Sequence, residues 1–232
     1  MSLIVYNGSP RGEKSNSTVI TKWFLEGYGN DNVEIRYLNK FKHHLTYAQE
    51  MVNYDQVLMV FPLYVDGMPG QVKHFYELLS SLKNKIEDKP ITFIIHSGFS
   101  DAVQSRVLEQ YCNRFSKIFN LNNHGVIIIP GSEGFRLMPP VMTNKKRIAV
   151  SKLGASYIKN EQYKKEQLEF LFGKEKSSKF GSILFKIMYK LGLTNNYWNS
   201  QLKKNKAIDN CFDAPYKNNS SPITTKAYIS NK

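Results

Sequence analysis

The 232-residue chain is 41% hydrophobic and 22% charged, with 14 Tyr, 14 Phe and 2 Trp, enough apolar material for one large domain or a core domain with an appendage, which excludes global disorder. Its net charge of +13 is uneven: residues 151–232 hold 15 lysines against 6 acidic residues, whereas residues 1–150 hold 17 basic and 13 acidic ones, so basicity marks the C-terminal third and says little about chemistry before it. No apolar run reaches the roughly 18 residues of a spanning helix, the opening MSLIVYNGSPRG lacks a charged leader segment, and the distant Cys112 and Cys211 exclude a disulfide framework or a thiolate metal cluster built from this chain alone; a soluble, cytoplasmic protein with idle thiols is expected.

The first 130 residues alternate short apolar runs with longer periodic segments, the rhythm of a parallel sheet covered on both faces. Leu3 to Tyr6 reads as a first strand. A helix follows from about Ser15, with Val19, Ile20, Phe24 and Leu25 on its apolar side and Gly27 and Gly29 ending it. Val33 to Leu38 alternates like an outer strand, and residues 46–53 read as a short helix. Gln56 to Phe61 is continuously apolar, as a strand buried on both faces should be. Then come a helix from about Gln71 to Leu82, strand Ile91 to Ile95, a helix from about Ala102 to Phe119, strand Gly125 to Ile129, and a long helical segment beginning near Asn144. Five strands with intervening helices predict a doubly wound three-layer α/β sandwich. In such sheets ligands bind beyond the carboxyl ends of the strands, where the strand order reverses, so the loops after strands one, three and four hold the candidate site.

After strand one, Asn7-Gly8-Ser9-Pro10-Arg11-Gly12-Glu13-Lys14-Ser15-Asn16-Ser17-Thr18 concentrates turn formers, hydroxyls and one arginine at a helix start. Unpaired N–H groups at a helix N-terminus, the helix dipole, serine hydroxyls and an arginine fork suit a single phosphate group. A simpler reading is also open, in which Ser15 or Asn16 merely caps the helix and Gly8 merely turns the chain. Three residues separate Gly8 from Gly12, and Glu13 precedes Lys14, so the loop is not a Walker loop. No second glycine falls two residues after Gly8, so it is not a dinucleotide fingerprint either. After strand three, Pro62-Leu63-Tyr64-Val65-Asp66-Gly67-Met68-Pro69-Gly70 forms a loop shaped by two prolines and two glycines, offering apolar atoms and backbone amides to something flat, or else simply starting the next helix. After strand four, His96-Ser97-Gly98-Phe99-Ser100-Asp101 adds a glycine for close approach and neighbouring donors.

Together these loops resemble those of the flavodoxin-like NAD(P)H-dependent FMN reductases and NAD(P)H:quinone oxidoreductases, over about residues 2–130. The resemblance rests on G-S-P-R then S-N-S (Gly8 to Arg11, Ser15 to Ser17), on P-L-Y-V-D-G-M-P (Pro62 to Pro69) and on S-G (Ser97, Gly98). It implies a flavodoxin-like five-stranded parallel sheet of order 2-1-3-4-5. It further implies FMN as cofactor, with its phosphate on Ser9, Arg11, Ser15, Asn16 and Ser17. The isoalloxazine and ribityl would then run along Pro62, Leu63, Tyr64, Val65, Asp66, Gly67 and Met68, and the pyrimidine edge would face Ser97, Gly98 and Phe99. The implied chemistry is a hydride relay in which NAD(P)H reduces flavin N5 and then gives way to a small acceptor: a quinone, a nitro or azo compound, or free flavin. No acid/base triad is then needed. The stretch Leu38 to Tyr54 has no cysteine, unlike relatives bearing an iron-sulfur cluster, and the chain is basic, unlike the acidic flavodoxin carriers. Resemblance also implies a homodimer. A second function class stays open: a non-catalytic FMN-binding or regulatory module acting through the basic C-terminal arm.

Two histidine features lie near these loops. His96 at a strand end suits a structural role or a proton donor, and His43-His44, without ligand spacing to another metal-type residue, reads as a solvated surface pair. The domain boundary is expected near residue 173, with an FMN-binding domain over 1–173 and a basic appendage over 174–232. Within the appendage, Lys179, Lys186 and Lys190 share one side of a helix whose adjoining face carries Phe180, Leu184, Ile187, Met188 and Leu191. An extra packed helix with a solvated lysine face is the favoured reading of that segment. Contact of residues 176–193 with an anionic membrane surface is the less favoured one, and nucleic acid is disfavoured because no arginine follows Arg147. The stretch from Asn195, with its late Pro215-Tyr216, reads as an irregular arm anchored by Tyr197, Trp198 and Phe212.

Overall fold

A computed structural model of the chain describes residues 1–176, 179–192 and 195–214. Contacts divide the chain into two compact units, Met1–Ser177 and Ser178–Lys232. The first holds five strands, β1 (Leu3–Asn7), β2 (Val33–Tyr37), β3 (Gln56–Pro62), β4 (Pro90–His96) and β5 (Asn122–Ile129), and six helices, α1 (Asn16–Tyr28), α2 (His44–Glu50), α3 (Gly70–Leu79), α4 (Arg106–Ile118), α5 (Pro140–Ile158) and α6 (Lys165–Phe172). The sheet is parallel throughout, in the order β2-β1-β3-β4-β5. The expected flavodoxin-like order is therefore the observed one.

Every residue of β1 and β3 is buried, and because side chains alternate across the pleat each strand feeds two cores. Ile4, Tyr6, Met59, Phe61, Phe93 and Ile95 pack with Phe75, Leu79, Cys112 and Phe115 of α3 and α4. Leu3, Val5, Leu58, Val60, Ile94 and Ile127 pack with Phe24, Val150, Leu153 and Tyr157 of α1 and α5. Fully burying one such side chain contributes about 1.5–3 kcal/mol, and the two cores hold the sheet's carboxyl edge in fixed register.

Several local expectations need correcting. Gly29, in left-handed conformation at φ 62°, ends α1; Gly27 lies inside the helix, where an added methyl would strike the carbonyl of Ser151. The inward face of α1 is set by Ile20, Trp23, Phe24 and Tyr28, with Val19 and Leu25 only half-buried. Helix α3 gives way to a 3₁₀ turn over Ser80–Lys85. Helix α5 starts at Pro140, four residues before the expected start, because a proline in the first turn needs no amide partner and brings a helical φ. His44 is no solvated residue: it is fully buried, with one ring nitrogen 2.6 Å from Leu38 O and the other 2.8 Å from Nδ1 of His74. Burial pushes its pKa below the ordinary histidine value. The partner that draws it inward lies on α3, 30 residues on, beyond the reach of local sequence.

Beyond α6, Lys174 and Glu175 are tied to the segment that leads into α4, their carbonyls accepting from Ala102 and Val103 N–H while the Glu175 carboxylate pairs with Arg106. The second unit holds α7 (Lys179–Lys190) and α8 (Asn196–Lys204). The segment around Pro215-Tyr216, and the side chains of Lys179, Phe180, Leu184 and Tyr197, lie outside the described residues. Among the described residues no helix is long and apolar enough to cross a membrane.

Candidate functional site

The carboxyl ends of β1, β3 and β4 open on a cleft of about 310 Å³ lined by Arg11, Pro62, Leu63, Tyr64, His96, Ser97, Gly98, Ser132 and Glu133. It sits where the strand order reverses, between β1 and β3, the position doubly wound sheets reserve for ligands.

The loop after β1 is knitted from within. Asn7 Oδ1 accepts from Ser9 N–H at 3.0 Å, and Ser9 Oγ accepts from Arg11 N–H at 3.3 Å. Gly12 takes φ 55°, where a side chain would be strained and would meet Asn39. Ser15 is the N-cap of α1, its Oγ accepting from Thr18 N–H at 3.2 Å, so the simple capping role holds for Ser15. Capping satisfies only one of the orphan amides, and the N–H groups of Asn16 and Ser17 remain at the positive end of the helix. The side chains are otherwise employed: Asn16 donates to Glu133 O at 2.9 Å and accepts from Arg136 N–H at 3.2 Å, and Ser17 Oγ lies 2.7 Å from His96 Nε2. Ser9, Ser15, Asn16 and Ser17 are all buried; Arg11 is the exposed member, its guanidinium 4.0 Å from the Glu133 carboxylate across the cleft.

The loop after β3 makes a tight turn at its tip. Tyr64 and Gly67 exchange backbone hydrogen bonds of 2.9 and 3.0 Å, and the two residues between them, Val65 (φ 47°) and Asp66 (φ 58°), are left-handed. This geometry suits Asn-Gly, yet neither Gly67 nor Gly70 has a positive φ. Val65 stands 99% exposed at the tip. Pro62, Leu63 and Tyr64 face the cleft, whereas Asp66, Gly67 and Met68 line a separate groove of about 250 Å³ with Lys73, Val107, Leu108 and Tyr111. The structure thus splits the second set of candidates between two depressions.

The loop after β4 is fastened to the loop after β5: Gly131 N–H donates to Phe99 O and Ser132 N–H to Ser97 O, at 2.6 and 2.8 Å. Ser132 Oγ also donates to Ser97 O at 3.0 Å, so its oxygen accepts from His96 Nδ1–H at 2.9 Å, and His96 Nε2, left unprotonated, accepts from Ser17 O–H. Burial, with a smaller contribution from the Arg11 charge, holds the His96 pKa down at about 3. Buried and bonded at both ring nitrogens, His96 fits the structural reading better than that of a proton donor. Ser97 Oγ is the exception, buried at the cleft with no partner. Gly98 adjoins Glu133, and Phe99 is exposed at the rim.

A fourth wall, beyond the loops after strands one, three and four, comes from the segment after β5. That segment carries Ser132, Glu133 and Arg136, and Arg136 reaches across to the carbonyl of Lys14. Its signal was the turn-rich run Pro130-Gly131-Ser132-Glu133-Gly134 at the same end of the sheet. Chemically, the cleft offers a cation, an unpaired hydroxyl and an apolar wall beside the first turn of α1, and the Ser17–His96 hydroxyl–imidazole pair is buried in its wall. Among the described residues no group of three or more His, Cys, Asp or Glu side chains could hold a metal ion.

The model of the family described as NADPH-dependent FMN reductase matches residues 1–128. No curated protein sequence matches the chain. Among solved structures, an NADPH-quinone reductase from P. pentosaceus aligns at TM-score 0.55 and 15% identity, over 66% of this chain and 98% of its own. An FMN-dependent NADH-azoreductase from Bacillus anthracis, in complex with FMN, aligns at TM-score 0.52 and 14% identity, over 68% and 100%. General stress protein 14 from Treponema denticola, also in complex with FMN, aligns at 0.51 and 11%, over 69% and 99%. At these identities the likeness is one of fold.

Proposed function

The chain belongs to the NADPH-dependent FMN reductase family, and from that premise we propose that it binds FMN in the cleft at the β1/β3 switch point and acts as an NAD(P)H-dependent oxidoreductase on a small acceptor such as a quinone, a nitro or azo compound, or free flavin. When bound, FMN would supply the hydride chemistry that links NAD(P)H to the acceptor. The observation that carries the reading is the buried, unpartnered Ser97 Oγ beside a cationic and apolar cleft. An orphaned hydroxyl costs about 1–3 kcal/mol, and the polar edge of a flavin ring would relieve that cost.

The residues fit the cofactor in a definite way. Arg11 and the N–H groups of Asn16 and Ser17 hold the phosphate, with Ser9 and Ser15 shaping the loop beneath it. Pro62, Leu63 and Tyr64 flank the ring and ribityl. Ser97 and Gly98 meet the pyrimidine edge, with Phe99 and Val65 at the rim. Asp66, Gly67 and Met68 support the turn from behind. His96 keeps the walls in register. The resemblance further supports a homodimer.

The test is the visible spectrum of the purified chain with FMN, before and after anaerobic NADPH. Protein-bound flavin bands that bleach with NADPH and return on adding a quinone are expected. A protein that retains and titrates no FMN overturns the cofactor assignment; one that binds FMN without NAD(P)H turnover is the binding module instead.

A further inference from the structure

Helix α7 in the second unit carries an apolar stripe that faces solvent. Ile183 is 56% exposed, Ile187 50% and Leu191 67%. At about 100° per residue, successive positions four apart drift by only about 40°, so these three side chains form one ridge; Leu191 prolongs the helix, its N–H donating to Ile187 O at 3.0 Å. Met188 stands exposed on the far flank of the ridge. Lys186 and Lys190 follow the near flank, both exposed, and no ion pair among the described residues engages either.

The second unit has nine lysines against two acidic residues, Asp209 and Asp213, and neither acidic residue is ion-paired with Lys186 or Lys190, so the basic flank keeps a large excess of positive charge. We propose that α7 is an interfacial helix that docks this chain on an anionic lipid surface, with Ile183, Ile187 and Leu191 entering the headgroup boundary and Lys186 and Lys190 extending their stems to reach lipid phosphates. A face made for a second copy of the same unit would instead set these lysines against the like charges of its partner. The proposal does not rest on the flavin reading, since it uses no residue of the cleft.

The experiment is flotation of the 232-residue chain with vesicles of phosphatidylcholine alone and of phosphatidylcholine with phosphatidylglycerol, at low and high salt. The chain is expected to float with the anionic vesicles only, and to be released by salt. Ile187→Glu should abolish binding, and Lys186→Glu with Lys190→Glu should weaken it at least about tenfold, given the attraction of each lysine near an anionic surface. Both variants should keep the parent's circular dichroism and thermal unfolding. No flotation of the parent chain, or flotation undiminished in Ile187→Glu, overturns the proposal. So does a parent that is oligomeric without vesicle binding and that Ile187→Glu dissociates, since the ridge would then belong to a second copy.

Discussion

Ser17 and His96, 79 residues apart in the chain, are joined by a 2.7 Å hydrogen bond inside the protein. It ties the first turn of α1 to the end of β4, and through Ser132 the same imidazole reaches the segment after β5 at 2.9 Å. Three of the cleft's four walls therefore hang on one neutral ring. Ser17, with its O–H spent on His96, has only its backbone N–H left to offer an anion.

That ring gives the fold a pH dependence of known sign. The native pKa of about 3 lies below the ordinary 6.5, so the unfolded chain binds a proton that the native state refuses. The stabilisation from His96 is therefore complete above pH 6.5, is lost as pH falls, and levels off below about 3. His96→Gln keeps a polar bridge without the titration. Between pH 6.5 and about 4.5 the parent should lose roughly 2 kcal/mol more unfolding free energy than the variant. Urea titrations at both pH values check this, and equal losses would place the proton elsewhere.

Glu133 is expected to modulate phosphate binding at Arg11. Its carboxylate lies 4.0 Å from the Arg11 guanidinium, with both side chains about half exposed, so the pair itself is worth about 0–1 kcal/mol, yet the same carboxylate also repels a phosphate. Glu133→Gln is expected to tighten FMN binding up to about fivefold, the reach of such an exposed charge, while Arg11→Ala weakens it by about 1.5–3 kcal/mol as a charge-assisted contact is lost. Riboflavin, which lacks the phosphate, should respond to neither change. Fluorescence titration with both flavins is the measurement; equal effects on both would put the phosphate away from Arg11.

The strands and most of the helices between them were legible because they follow from periodicity, whereas the sheet order came from the resemblance of the loops. Gln56 to Phe61 could only be a doubly covered strand, and the loops after strands one, three and four follow from the topology. What local sequence did not show are the pairings across the chain. Asn16 looks like a phosphate ligand, but its amide finds Glu133 and Arg136, 117 and 120 residues away. His44 looks solvated beside His43, but His74 of α3 draws it inward. Asp66 and Met68 belong to a motif that reads as one ligand loop, yet the left-handed pair Val65-Asp66 turns the chain and puts them in a different groove. Each of these is a side-chain partner or a backbone turn that tertiary packing selects and residue type does not.

Val65 is a β-branched residue at φ 47° with nearly its whole side chain in water, so its conformation is costly and no packing repays it. Left-handed conformations cost ordinary residues about 1–2 kcal/mol, less for asparagine. Val65→Asn should raise the unfolding free energy by about 1 kcal/mol, read from urea denaturation. If the Val65 side chain covers a bound ring, the same variant should release FMN faster, seen by stopped-flow; a stability gain with unchanged release would make the residue's role purely conformational.

The pairing of α1 with α5 depends on two glycines that let the helices touch backbone to backbone. A methyl at Gly154 would collide with the carbonyl of Phe24, and one at Gly27 with that of Ser151. Unlike the end of a flexible side chain, a helical carbonyl cannot move aside without its whole helix moving. Around the crossing, Phe24, Tyr28 and Tyr157 fill the core, their ring centroids 5.8 and 6.5 Å apart, so any separation of α1 from α5 also loosens those contacts. Gly154→Ala should therefore cost about 1–3 kcal/mol, the range for overpacking, despite the better helix propensity of alanine, which alone would add about 1 kcal/mol in the opposite direction. Because α1 carries Ser17 at its first turn, the variant should also weaken FMN binding without touching the cleft, and riboflavin binding less so. A variant as stable as the parent would mean that the two helices are not held at this crossing, and α1 would then need another anchor for the loop it starts.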